Sequence, residues 1–234
     1  MLFALMRPDQ ATLDGAWMHA PDGFLSVGVA ALMWAVTLVV LGIAVMRTNR
    51  TLDERMIPLM GVSAAFIFAA QMFNFQVIGG TSGHLLGGVF AAVLLGPWPA
   101  TLVMACVVAV QGLVFQDGGL VVMGANIFNM GVIGTLGGYA IYKAIATALG
   151  GEERGRLPAA AVAAWCSVVL GAVAVSVELA VSGTAPLAVT LPTMVFVHAL
   201  IGIGEAVITV AALGFIQATR KDLLGLKNAR PVSA

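Results

Sequence analysis

The feature that most constrains this chain is where its charges fall. Long apolar stretches carry almost none, and the charged residues gather between them. Hydrophobic residues make up 60% of the 234 positions and charged residues 9%. A soluble domain carries about 25% charge, so this chain has too little polar surface to cover itself in water. A bilayer suits it, and there backbone groups must pair internally, which leaves helices or closed barrels. Barrel strands alternate over short segments, whereas these runs are unbroken. The chain therefore reads as an all-α polytopic membrane protein.

The expected spans are Leu25–Met46, Ile57–Phe75, His84–Leu95, Ala100–Phe115, Gly124–Leu149, Leu157–Val181 and Pro192–Thr219. The third is short for a span of about 20 residues, and Pro97–Pro99 separates it from the fourth. It either tilts little against a thin part of the fold or lies behind a re-entrant loop. Basic residues favour counting it. Ten of the eleven lie in three segments: Arg47, Arg50 and Arg55; Lys143, Arg154 and Arg156; and Arg220, Lys221, Lys227 and Arg230. Seven spans with an outer N-terminus put all three segments in the cytoplasm, as the positive-inside rule requires. Six would split them.

The opposite face holds Asp9, Asp14, Asp22 and Asp117 and, apart from Arg7, no Lys or Arg. That balance suits a cation, although the positive-inside rule alone produces the same depletion. Formal net charge is zero, with no basic patch for nucleic acid. Cys106 and Cys166 sit inside apolar runs and read as small core residues, too few for a disulfide framework or a thiolate metal site. There is no Walker A pattern, so an ATP-driven step belongs to another chain.

The chemistry-bearing residues are few. His19, His84 and His198 all fall in the outer half of the seven-span arrangement, and histidine is the commonest metal ligand. Each also has a structural alternative: a surface loop for His19, a turn or cap for His84. His198 lies seven residues before Glu205 on one helix face, which fits a helix-holding pair as well as a relay, and Glu178 can join them. Residues 1–17 lack the charged start and apolar core of a signal peptide. They read as an N-terminal extension, removed or placed ahead of the true start at Met18. If Met18 is the amino terminus, its amine, the deprotonated amide of His19 and the His19 ring form fused chelate rings, with His84 able to supply a fourth nitrogen. Square-planar nitrogen coordination fits Ni²⁺ or Cu²⁺, with Co²⁺ also suited.

The stretch Met18–Ser26, reading Met-His-Ala-Pro-Asp-Gly-Phe-Leu-Ser, resembles the N-terminal signature of the CbiM/NikM family. These are the substrate-capture components of energy-coupling-factor transporters for cobalt and nickel. Further matching motifs are Phe73–Phe75 with Gly79–Gly88, Asp117–Gly119 with Gly124–Gly131, and His198–Ala206, running in order from Met18 to about Arg220. The resemblance implies seven helices and a metal held by the Met18 amine, the amide and ring of His19, and the ring of His84. Asn74, Ser82, His198 and Glu205 are candidates for the residues behind those ligands. It also implies a membrane-embedded importer with a transmembrane coupling subunit, cytoplasmic ATPases and a small accessory membrane subunit, in the inner membrane. Ni²⁺ or Co²⁺ is its cargo, cobalamin synthesis is one destination, and no catalytic cofactor is expected. Two departures stand out. Residues 1–17 precede the family's usual first Met, and Ala20 replaces a larger apolar residue.

The expected division is 1–17 as extension, 18–220 as membrane domain and 221–234 as cytoplasmic tail. Ala31 and Ala35 form a small-xxx-small pair suited to close helix approach, one candidate for the coupling-subunit contact. An intramembrane metalloprotease would want His-Glu-x-x-His, which is absent from the sequence. A gradient-driven secondary transporter would want inverted repeats and midplane acids, and Glu205 is the only such acid. The chain thus reads as a transport subunit and not an enzyme.

Overall fold

The computed structural model describes residues 19–72, 75–77 and 81–228. Met18 and Asn74 lie outside the described residues, as do the positions of residues 1–17 and the Ser82 side chain.

The order of elements follows the apolar runs. Helix α1 spans Val27–Asn49, started by Ser26, whose Oγ accepts from Val29 N at 3.4 Å. Helix α2 spans Met56–Gln71. A two-stranded hairpin comes next, β1 Phe75–Val77 against β2 Thr81–Gly83, in register Phe75 to Gly83. Then come α3, Gly88–Leu95, and α4, Pro97–Val114. Met123–Asn126 (α5), a π-helical segment Ile127–Gly137 and α6, Gly138–Ala148, run on as one rod. The long helices α7, Glu152–Val181, and α8, Leu187–Thr219, complete the bundle, and a 3₁₀ segment, Lys221–Asn228, lies beyond them. Counting that rod once gives seven helical rods among the described residues.

The interior and exterior are arranged for lipid. Phe196 and Phe215 are 66% and 68% exposed, whereas Gln71 and Gln111 are fully buried and Glu205 is 1% exposed. Four described helices are long and apolar enough to cross a membrane: α1, α4, α7 and α8. Helix α3 is buried along its whole length at the centre of the bundle. Small residues admit its neighbours. A Cβ on Gly88 would fall 2.8 Å from the Gly134 backbone, and one on Gly138 would strike Val89.

Several boundaries differ from the sequence reading. Helix α2 ends at Gln71, and Phe75, expected at its end, is in a strand. The break after α3 falls at Gly96, with φ +88°, a conformation that side chains rarely adopt, and Pro97 then opens α4. Helix α8 begins at Leu187 and carries Pro192 inside it. His84 is not helical; it begins an irregular four-residue segment ahead of α3. Cys106 is exposed on α4 rather than in the core, and Cys166 is only partly buried. Leu224, in the expected tail, is buried against the core.

Candidate metal centre

The short third span is accounted for once its non-helical start is included. Eight helical residues rise about 12 Å, and the four non-helical residues 84–87 can lengthen the crossing by at most about 13 Å. Together they approach the roughly 30 Å hydrocarbon thickness. Non-helical backbone inside a bundle leaves polar groups that water cannot reach, so side chains must satisfy them. Glu205 on α8 accepts Leu86 N at Oε2 and Gly87 N at Oε1, both at 2.8 Å. Gln71 on α2 donates Nε2 to Leu86 O at 2.8 Å, and Gln111 on α4 donates to Gln71 Oε1 at 2.9 Å. Three helices thereby grip the segment that carries His84. Gly87 sits at φ +77°, with Ile67 pressed where a Cβ would go.

The first described residues form a second strap. Asp22 accepts Leu120 N, Val121 N and Val122 N at 2.8–3.2 Å. Ala20 and Asn126 exchange two bonds, Ala20 N to Oδ1 at 3.2 Å and Nδ2 to Ala20 O at 3.1 Å. Gly119 N donates to Ala20 O at 3.0 Å, and Thr184 Oγ1 donates to Phe24 O at 2.6 Å. The glycines of Asp117-Gly118-Gly119 make room: a Cβ on Gly118 would lie 2.7 Å from His19 Cβ, and one on Gly119 would overlap the Asp22 carboxylate. The strap thus seats His19 deep in the bundle, with 5% of the residue exposed.

These two anchored pieces bring His19 and His84 together, with ring centroids 5.1 Å apart. His84 Nδ1 lies 2.9 Å from Leu85 O. Donating there makes Nε2 the lone-pair nitrogen, the usual way a protein fixes a ligating tautomer. Both ring nitrogens of His19 are buried without a hydrogen-bond partner among the described residues. A buried polar atom left so is costly, and a metal ion would satisfy it. His19 Nδ1 also lies 3.1 Å from Asp117 Oδ2. The donor set of imidazole nitrogens suits first-row transition metals rather than Mg²⁺ or Ca²⁺.

The other sequence candidates go elsewhere. His198 Nδ1 lies 2.8 Å from Met194 O, one turn back on α8. Glu205, expected to face His198, instead holds the His84 segment. Glu178 accepts from Asn129 Nδ2 at 2.9 Å. Sequence reasoning gives Asp117 a share in an acidic face and a place in the Asp117–Gly119 motif, but no contact with His19. The signal that singles it out is its place before two glycines in a loop without Lys or Arg.

Residues 19–223 match the family described as the cobalt uptake substrate-specific transmembrane region. A protein of Archaeoglobus fulgidus named for fused nickel transport is 40% identical over 91% of this chain and 70% of its own length. A cobalt transport protein of Sorangium cellulosum is 30% identical over 88% of this chain and 94% of its own. The crystal structure of a truncated transition metal transporter superposes with a TM-score of 0.78 at 32% identity, covering 86% of this chain and 99% of that one. These relatives are transport proteins and not enzymes. The chain belongs to the cobalt uptake substrate-specific transmembrane family.

Proposed function

We propose that this cobalt/nickel transport protein is the metal-capture subunit of an ATP-driven, energy-coupling-factor importer. It takes Ni²⁺ or Co²⁺ from the outer face and releases it inward when partner ATPases drive the complex. The convergence of the buried His19 ring, neither of whose nitrogens makes a hydrogen bond among the described residues, with the His84 ring carries this function. The His19 ring and amide and the His84 ring bind the cargo, together with the Met18 amine when Met18 begins the mature chain. Residues 18–220 act as the capture domain in the inner membrane, with the amino terminus outside and 221–234 facing the cytoplasm.

The partners are those that resemblance to energy-coupling-factor capture subunits implies: a transmembrane coupling subunit, cytoplasmic ATPases and a small accessory membrane subunit. Ala31 and Ala35 are both exposed on α1 and suit close approach by a partner helix. The test is metal titration of purified protein. Replacing His84 with Ala should weaken Ni²⁺ or Co²⁺ binding by at least about tenfold, about 1.4 kcal/mol. Unchanged affinity would remove His84 from the site. Uptake that survives loss of the ATPases would favour a gradient-driven transporter instead.

A further inference from the structure

We propose that Glu178 carries a resident proton and pairs, as a neutral carboxylic acid, with the side-chain amide of Asn129. The pair locks α7 to the rod that begins at Met123, and it does not depend on the metal-capture function proposed above.

Two orphaned oxygens point to the proton. Glu178 on α7 is 9% exposed, and Asn129 in the π-helical segment is 5% exposed. Asn129 Nδ2 donates to Glu178 Oε2 at 2.9 Å. The remaining oxygens, Glu178 Oε1 and Asn129 Oδ1, are buried without a hydrogen-bond partner among the described residues. Both only accept while the carboxyl is ionised, so the pair is short of a donor. Turning the Asn129 amide over does not help, because its oxygen then meets a carboxylate oxygen. A proton on Oε1 supplies the donor. A carboxylic acid and a primary amide close a cyclic pair, with N–H to one oxygen and O–H to the other, and both orphans are then satisfied.

The surroundings offer Glu178 no counter-charge. The ion pairs among the described residues are His19 with Asp117, Lys143 with Glu152 and Arg220 with Asp222. Helix α7 has no charged side chain between Arg156 and Glu178, and Met123–Gly137 has no titratable one. Leu179, next to Glu178, shares a buried cluster with Ala30 and Met33 of α1, whose only charge is Arg47 near its far end. On α6, Lys143 pairs with Glu152 at the opposite end of α7. The titratable side chains of α8 are His198, which faces Met194 O, and Glu205, which holds Leu86 N and Gly87 N. A carboxylate at Glu178 would keep its charge in a dry interior with one amide for a partner, which is costly. The neutral acid avoids that cost.

Position gives the pair its role. Asn126, one turn before Asn129, exchanges two bonds with Ala20, and Thr184, just beyond α7, donates to Phe24 O. The acid–amide pair therefore joins the two elements that moor residues 20–24. Asn129 also lies where the rod widens into π turns, Ile127–Gly137. Such turns are rare and frequently mark functional sites.

Infrared difference spectroscopy of the purified full chain in detergent, near neutral pH, reads the proton. Native protein minus Glu178→Gln should show the carbonyl stretch of one protonated carboxylic acid, moving down in D₂O. Asn129→Ala should shift that stretch upward, because the acid loses the amide oxygen it donates to. A difference that contains carboxylate bands alone, or a stretch that Asn129→Ala leaves in place, would overturn the inference. Thermal unfolding of the metal-free protein reads the lock. Asn129→Ala should melt below Glu178→Gln, whose own amide still makes both bonds with Asn129; the reverse order would overturn the locking role. Should Glu178→Gln not fold, native protein minus Asn129→Ala decides. A protonated carbonyl that moves upward supports the proton, and a difference without one overturns it.

Discussion

Glu205 offers the sharpest way to separate holding the ligand from being the ligand. Its two carboxylate oxygens take the Leu86 and Gly87 amides at 2.8 Å, inside a bundle where the residue is 1% exposed. Glu205→Gln keeps the shape but replaces one acceptor with a donor that faces a backbone N–H. One buried amide then loses its partner, at a cost of about 1–3 kcal/mol. Glu205→Ala strands both amides and leaves a cavity, costing roughly 3–6 kcal/mol from the two donors and the lost side-chain volume. The segment so loosened begins at His84, so metal affinity should fall as well, by about 10–100-fold, as when a residue supporting a metal ligand is removed. The assay is thermal unfolding of the metal-free protein in detergent, then Ni²⁺ titration of the folded variant. Folded Glu205→Gln that binds Ni²⁺ within about twofold of the native protein would refute the clamp as a support for the site.

Other substitutions should sort the neighbouring residues. His198→Gln should leave Ni²⁺ affinity within about twofold and cost about 1 kcal/mol at most, because its described bond stays within α8; a tenfold loss by titration would return it to the site. Gly118→Ala should destabilise the metal-free protein by about 1–3 kcal/mol and weaken binding, since its Cβ would push on His19; unfolding and titration that match the native protein would contradict the tight fit. Asp22→Ala should cost about 2–3 kcal/mol, judged by unfolding, because three amide bonds to one charged group are lost and the group is partly open to solvent. For orientation, with Cys106 and Cys166 replaced, a cysteine at Glu153 should react only from the cytoplasm and one at Leu120 only from outside; the reverse pattern would invert the proposed topology.

The bundle is legible in the sequence because lipid imposes a coarse rule: about 20 apolar residues, then charge. Leu157–Val181 and Gly124–Leu149 lie inside the observed helices or within a residue of their ends for that reason. The site is half legible. His19 and His84 stand out as rare residue types, and motif order ties them together. The local structure around His84 is not, because Leu85 and Leu86 are as apolar as a helix and period alone does not separate a non-helical buried run from a helical one. Glu205 stands out as an acid in an apolar run, but helical spacing directs it to His198. Its true partners are backbone amides, which leave no mark in the identity of Leu86 or Gly87. Asp117 is visible only as one acid on a face and as the start of the Asp117–Gly119 motif, because its contact with His19 depends on the turn made by Gln116 and Gly118.

The central claim is that His19 and His84 hold one transition-metal ion between them. X-ray absorption at the nickel edge of the Ni²⁺-loaded protein tests it most directly, because imidazole rings give a multiple-scattering pattern that can be counted. The expected spectrum shows a shell of nitrogen and oxygen donors with two imidazoles, falling to one in His84→Ala or in His19→Ala if residual metal is retained. A sulfur-dominated shell, or a native spectrum without imidazole scattering, would contradict it.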